Sequence, residues 1–559
     1  MKTVYNGKRV CFSDQLKQGG KPMKLNSVSL QNTQAWQAAG YDLPAFDVAA
    51  LCKATMEQPV WLHLGAGNLF RAFPAAALQR LINEGTVDRG VIVAECFDGD
   101  IIDQAYAPFD NLSLLCVLKA DGSVDKKVIA SVAEALRCDS KNAAHDARLM
   151  EVFSAPTLQM VSFTITEKGY AVKNPAGEAL PFIQAEISAP PAQAKTTMGK
   201  VAAGLYARFL KNAAPIALVS MDNCSHNGDK LKDAVLFIAK AWLEKGFVEQ
   251  AFIDYLQDGK KVSFPISMID KITPRPDEKV AEMLKESGFE DAAPIITGKN
   301  TYTAAYVNAE ETEYLVIEDL FPAGHMPLEK AGIYFTDRET VDKAEKMKVC
   351  TCLNPLHTAL AILGCLLSHT SISKEMQDED LNKLVHRIAY QEAMPVVVDP
   401  GILSPAQFAG EVLEKRFPNP FMPDTPQRIA TDTSQKLPIR FGETLKAYKA
   451  SETLNILDLK CIPFVLAAWL RYLMAIDDNG EAFTPSSDPM LAEMQAALSF
   501  LKMGEAVTAD QLAPALSRKD IFALDLNEAG LAPVITGYLN EMLAGPGAIR
   551  KALQKLLAE

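Results

Sequence analysis

The chain has 559 residues, of which 48% are hydrophobic and 22% charged, with a net charge of −13 at neutral pH. At about 150 residues per domain this length makes two large domains, or up to four smaller ones. The acidic balance argues against a nucleic acid or an anionic membrane as partner, since both need a basic face, and no run of about 20 uncharged apolar residues is present to span a bilayer.

The opening stretch, MKTVYNGKRVCFSDQLKQGG, lacks the apolar core and small-residue cleavage site of a secretory signal. The ten cysteines are scattered, with no pair of C-x-x-C units, so the expected setting is a reducing, cytoplasmic one. Residues 1–50 are polar and mixed, broken by Gly19, Gly20 and Pro22, and are expected to be an extension.

Val60 to Leu64 reads as a buried strand running into Gly65-Ala66-Gly67-Asn68-Leu69-Phe70-Arg71 and then an apolar-periodic helix. Glycines at such a junction let backbone amides approach a pyrophosphate at a helix N-terminus. Gly65, Gly67 and Asn68 are therefore candidate dinucleotide contacts, and Arg71 a further phosphate contact, although the motif has no third glycine. The next apolar strand, Val91 to Ala94, ends in Glu95-Cys96-Phe97-Asp98-Gly99-Asp100. An acid there binds the adenosine ribose hydroxyls and repels a 2′-phosphate, which favours NAD over NADP. Asp98 is the first choice, with Glu95 and Asp100 as alternatives.

Further strands are expected at Leu112 to Leu118, Gln159 to Thr166 and Ile216 to Met221, with helical stretches between. Strands alternating with helices imply a doubly wound α/β sheet. Polar clusters end these strands: Thr164, Thr166 and Glu167 in one case, Asp222, Asn223, Ser225, His226 and Asn227 in the other. Ligands in open α/β sheets lie at such carboxyl ends. Val262 to Asp270 is one more apolar run, Glu313 to Asp319 another, and beyond about Asp337 helical periodicity takes over. Cys461 to Ile476 is too short for a membrane span and carries Arg471, so a buried helix is expected.

The stretch Lys348 to His369, KVCTCLNPLHTALAILGCLLSH, places a lysine, an asparagine and a histidine along an otherwise apolar segment. Asn354 is expected as the N-cap of a helix with Pro355 in its first turn. Cys350 and Cys352 have no second cysteine pair nearby and are expected as small core residues, with no metal site.

Taken in order, GAGNLFRAF, TITEKGY, SMDNCSHNG, MIDKITP, YLVIEDLFPAG with PLEKAG, and the Lys, Asn, His stretch resemble the motifs of the polyol-specific long-chain dehydrogenases, over roughly residues 43–450. The resemblance implies a zinc-independent NAD(P)-dependent oxidoreductase, with a Rossmann-type doubly wound N-terminal domain (51–338) followed by a mainly α-helical C-terminal domain (339–559) and the active site between them. The family's acid/base lysine matches Lys348, its two oxyanion-holding asparagines match Asn223 and Asn354, its substrate histidine matches His357, and the aspartate of its D-R-I-T-P motif matches Asp270, followed here by Lys271. The family spacing puts the lysine five residues before the asparagine, whereas Lys348 is six before Asn354. One added residue turns a helix by ~100°, so a π-bulge or local unwinding is needed to absorb it, with Lys346 as the alternative base.

The substrate implied is a small polyol or sugar acid. The variants CTCLNPLHTALA and KITPRPDE resemble the hexuronate branch, which implies interconversion of D-fructuronate and D-mannonate. Tagaturonate reduction and mannitol oxidation are the rivals, and a nucleotide-binding protein without catalysis is the alternative of another class. A carboxylate substrate calls for a cation at the far end of the pocket, for which Arg416, Lys436 and Arg440 are the candidates. The C-terminal helices fit equally a domain core and an oligomer interface.

Overall fold

The structure is a computed structural model and describes residues 23–559. Its centre is a six-stranded, all-parallel sheet of Trp61–Leu64, Val91–Glu95, Val132–Arg137, Met160–Phe163, Ile216–Ser220 and Val262–Ser263. Numbered along the chain, these lie in the order 3-2-1-4-5-6, that of a Rossmann fold, with the switch point between Trp61–Leu64 and Met160–Phe163. The central strands are buried at every position, which is why they read as nearly continuous apolar runs rather than as alternation.

Two runs resolve differently from their sequence reading. Leu112 to Leu118 forms a strand, Ser113–Leu118, but in a separate four-stranded sheet with Val124–Ile129, Tyr306–Glu310 and Tyr41–Asp42. Val262 to Asp270 divides around Pro265, which has no amide proton for a ladder. Val262–Ser263 closes the parallel sheet, while Ser267–Asp270 enters a three-stranded sheet with Tyr314–Glu318 and Tyr334–Thr336.

The proposed extension joins the fold from Met23 onward; its earlier part lies outside the described residues. Trp36 and Tyr41 are buried with their rings 5.0 Å apart, against Phe289. Among the described residues the last strand ends at Thr336, and helices follow from Arg338.

The helical half packs around Asn354–Leu366 and Cys461–Tyr472, the latter buried along its whole length. Arg471 is tolerated there because its Nη1 donates to the Ile476 carbonyl at 2.7 Å. The continuous helical run Arg338–Leu366 is long and apolar enough to cross a membrane by length and composition, but it is the central core helix of this half and mostly buried by its neighbours. The nine cysteines among the described residues are unpaired.

Candidate active site

Gly65 leaves the first parallel strand with φ +105°, and a side-chain carbon there would stand 2.3 Å from the Thr164 carbonyl oxygen. Only glycine permits that turn. Gly67 faces open space and precedes the Asn68–Ala72 helix, whose first amides have no partner within the helix. The loop is held open by Glu95, which accepts from Ala66 N at 2.9 Å with one oxygen and from Phe97 N and Asp98 N with the other.

Of the three acids weighed for the ribose, Glu95 is thus spent on the backbone and Asp100 pairs with Arg137 at 2.9 Å. Asp98 accepts the Thr297 and Thr301 hydroxyls on Oδ2 alone, so its Oδ1 has no hydrogen-bond partner among the described residues. Arg71 differs from its expected role as a phosphate contact. It is fully buried, with Nη1 on the Ala304 carbonyl at 2.7 Å and Nη2 on Asn68 Oδ1 and Thr303 Oγ1, both at 2.8 Å. Asn68 is the other half of that strut, and its Nδ2 donates to the Tyr302 carbonyl at 3.4 Å, so its side chain is engaged within the protein.

At the ends of the next strands, the buried Asp222 ties the loops together by accepting from Ile165 N, Thr166 N and the Tyr170 hydroxyl. Burial raises its proton affinity against those donors. Asn227 is wholly engaged with Asp222 and Ser267, and His226 is exposed beside Asp229. Asn223 stands apart from these structural ties, exposed at the loop.

Lys348 reaches this point from the helical half. It is 4% exposed, and its ammonium donates to Asn223 Oδ1 at 3.0 Å and to the Ile269 carbonyl at 2.8 Å, with Asp270 Oδ1 at 3.4 Å. It is carried on a π-helical turn, Met347–Cys352, closed by Leu353 N on the Lys348 carbonyl at 3.1 Å. A π-turn holds one residue more than an α-turn, so it takes up the six-residue spacing between Lys348 and Asn354. Lys346 is exposed on the preceding helix.

Asn354 is not the N-cap expected. It is the first helical residue after Leu353, and its side chain makes no capping bond, because the π-turn runs straight into the helix and leaves no free end to cap. Among the described residues its side-chain amide has no hydrogen-bond partner.

Arg416, expected as a carboxylate clamp, is 2% exposed and closed to a substrate. Its Nε and Nη2 grip Glu310 at 2.7 and 2.9 Å, and Nη1 lies 2.8 Å from Asp270 Oδ2 as an ion pair off the hydrogen-bond line. Burial alone would raise the Asp270 carboxyl, but the Arg416 and Lys348 charges outweigh it and hold it below the usual range. Glu310 escaped the sequence reading, since its strand, Tyr306–Glu310, gave no clear apolar run. Lys271 turns away to the Glu310 carbonyl at 2.7 Å and Glu313 at 3.0 Å.

His357 lies one helical turn beyond Asn354, with its ring centroid 4.9 Å from that of Phe417 and its Nε2 3.6 Å from Asp424 Oδ2. Burial first, then Arg440, Arg428, Arg416 and Lys436, push its pKa down to about 3, so it is a neutral imidazole at physiological pH. Lys436 donates to the Ile429 and Thr431 carbonyls. The structure therefore gathers Asn223, Asp270 and Lys348 at one point, while Arg416 links Asp270 to the His357 end and Arg71 stands outside the group.

A family profile described as the mannitol dehydrogenase Rossmann domain matches residues 60–330, and one described as the mannitol dehydrogenase C-terminal domain matches 340–543. D-mannonate oxidoreductase of Thermotoga maritima is 48% identical over 538 residues, covering 96% of this chain and 99% of the relative. Mannitol 2-dehydrogenase of Cereibacter sphaeroides is 29% identical over 81% of this chain and 87% of its own. Among solved structures, the Pseudomonas fluorescens mannitol 2-dehydrogenase ternary complex with NAD and D-mannitol aligns with TM-score 0.65 and 25% identity, over 96% of this chain and 100% of that one. A D-sorbitol dehydrogenase in substrate-free form shares the fold, with TM-score 0.74 at 22% identity over 92% of this chain and 97% of its own. Matched by both domain profiles and by a relative of nearly equal length, the chain belongs to the mannitol dehydrogenase family.

Proposed function

We propose that this chain is an NAD-dependent oxidoreductase interconverting D-fructuronate and D-mannonate. The observation that carries the reading is the convergence of the Lys348 ammonium with Asn223 and Asp270 at the carboxyl ends of the parallel sheet. The 48% identity to a D-mannonate oxidoreductase across almost its full length supports the choice of substrate.

The residues present fit the dinucleotide. Gly67 leaves open space, the following amides are unspent, and Asp98 Oδ1 stands ready for a ribose hydroxyl. When bound in its reduced form, the nicotinamide supplies a hydride to the ketone carbon. Lys348 gives its proton to the ketone oxygen as the alcohol forms, and takes it back in the reverse direction. An ammonium only donates, so its contact fixes the oxygen end of the Asn223 amide and leaves the NH₂ end for the developing alkoxide. Asn354, with an uncommitted amide, is the second such donor. Asp270, kept ionised by Arg416, holds the lysine in place.

The test is NADH oxidation at neutral pH with D-fructuronate, D-tagaturonate and D-fructose offered separately, each repeated with NADPH. Preference for D-fructuronate with NADH is expected. Turnover of D-fructose alone overturns the substrate, and NADH binding without turnover of any of them overturns the activity.

A further inference from the structure

With Arg416 closed off, a carboxylate substrate needs another cation. Arg440 ends the helix Thr433–Arg440 and lies against the first turn of the Asn354–Leu366 helix, with Nη1 on Thr358 Oγ1 at 2.6 Å and 3.5 Å from the Asn354 carbonyl. It thus shares a helical turn with Asn354, one of the two donors assigned to the alkoxide.

Its surroundings hold an excess of positive charge. Arg440, Arg428 and Lys436 all bear on His357, while Asp424, the carboxylate facing that ring, is already taken by Arg428. Among the described residues Arg440 has no carboxylate partner, and its Nε and Nη2 donate to nothing. Lys436 is bound to two carbonyls and Arg428 is exposed. A half-buried guanidinium with an unfilled two-donor edge, set among like charges, is the arrangement a carboxylate completes. A neutral polyol would leave that edge unmatched.

Resting on the reading of the substrate as a hexuronate, we infer that Arg440 holds the substrate's carboxylate and so separates sugar acids from neutral polyols at this site. It is a specificity residue, acting on the end of the molecule remote from the hydride.

The experiment compares the enzyme with Arg440→Gln and Arg440→Lys. For Arg440→Gln, KM for D-fructuronate should rise about 100-fold with kcat little changed, and NADH binding, read by fluorescence, should be unaltered. Arg440→Lys keeps the charge but not the two-donor edge, so its KM should fall between the two. A KM equal to that of the unsubstituted enzyme in both variants overturns the inference and leaves the activity standing. An unsubstituted enzyme that reduces D-fructose and neither hexuronate overturns the activity and, with it, the inference.

Discussion

The Lys348 ammonium stands 3.0 Å from the Asn223 amide oxygen across 125 residues of sequence. One residue belongs to a helix of the C-terminal half, the other to a loop of the parallel sheet. The contact exists only because a π-turn offsets the lysine by one residue within its helix. Lys348→Ala is therefore expected to lower kcat by at least ~100-fold with NADH binding intact, while Lys346→Ala, altering an exposed side chain, keeps near-normal turnover. Steady-state rates and NADH fluorescence check both, and the reverse pattern would transfer the role to Lys346.

The two glycines of the turn should fail differently. Gly65→Ala forces a side chain against the Thr164 carbonyl at positive φ, and should cost about 3 kcal/mol or more, seen as a lower apparent Tm. Gly67→Ala meets nothing in the protein, so Tm should hold while NADH affinity falls about tenfold, because the methyl group enters the dinucleotide's path. Titration of NADH against both variants, beside melting curves, separates the two effects.

Removing Arg416 leaves Asp270 and Glu310 buried without their shared cation. Arg416→Met should cost about 3–5 kcal/mol and reduce activity through the loosened lysine. Denaturant unfolding followed alongside turnover tests this; an unaltered midpoint would mean that the ion pairs are not stabilising.

Acid should weaken the protein through His63. That ring is wholly buried between Ser162 and Thr164 and stacked on Phe70, and burial brings its pKa down to about 3. The unfolded chain takes up a proton near pH 6.5 and the folded one does not. The stabilisation is thus complete above about pH 6.5 and shrinks as pH falls, by about 2 kcal/mol at pH 5. His63→Gln should show a flatter dependence of apparent Tm between pH 6.5 and 5 than the unsubstituted protein. Parallel curves would remove His63 as the cause.

The parallel strands were legible because burial on both faces leaves nearly continuous apolar runs, as in VIVA and IALV, with His63 the break in WLHL. A run does not name its partner, so Ser113–Leu118 was legible as a strand but not as part of a second sheet. Val124–Ile129 was hidden by Asp125, Lys126 and Lys127 on its more exposed half. The Lys348 stretch stood out in sequence because polar groups broke an apolar segment, and its odd spacing already required the irregular turn. Arg416 looked free for a ligand because Glu310, the acid that binds it, lies 106 residues away. Asn354 resembled a cap because a proline followed it, and sequence gives no sign that the helix was already under way.

The four buried charges come from opposite sides of the molecule: Asp270 and Glu310 from strands before Thr336, Lys348 and Arg416 from helices after Arg338. Two acids and two bases balance, so together they fasten the two halves along one seam. Prising that seam apart would strip each charge of its counterion in a poorly hydrated place, at several kcal/mol apiece. A swing of the two halves about that seam is therefore opposed by all four charges at once.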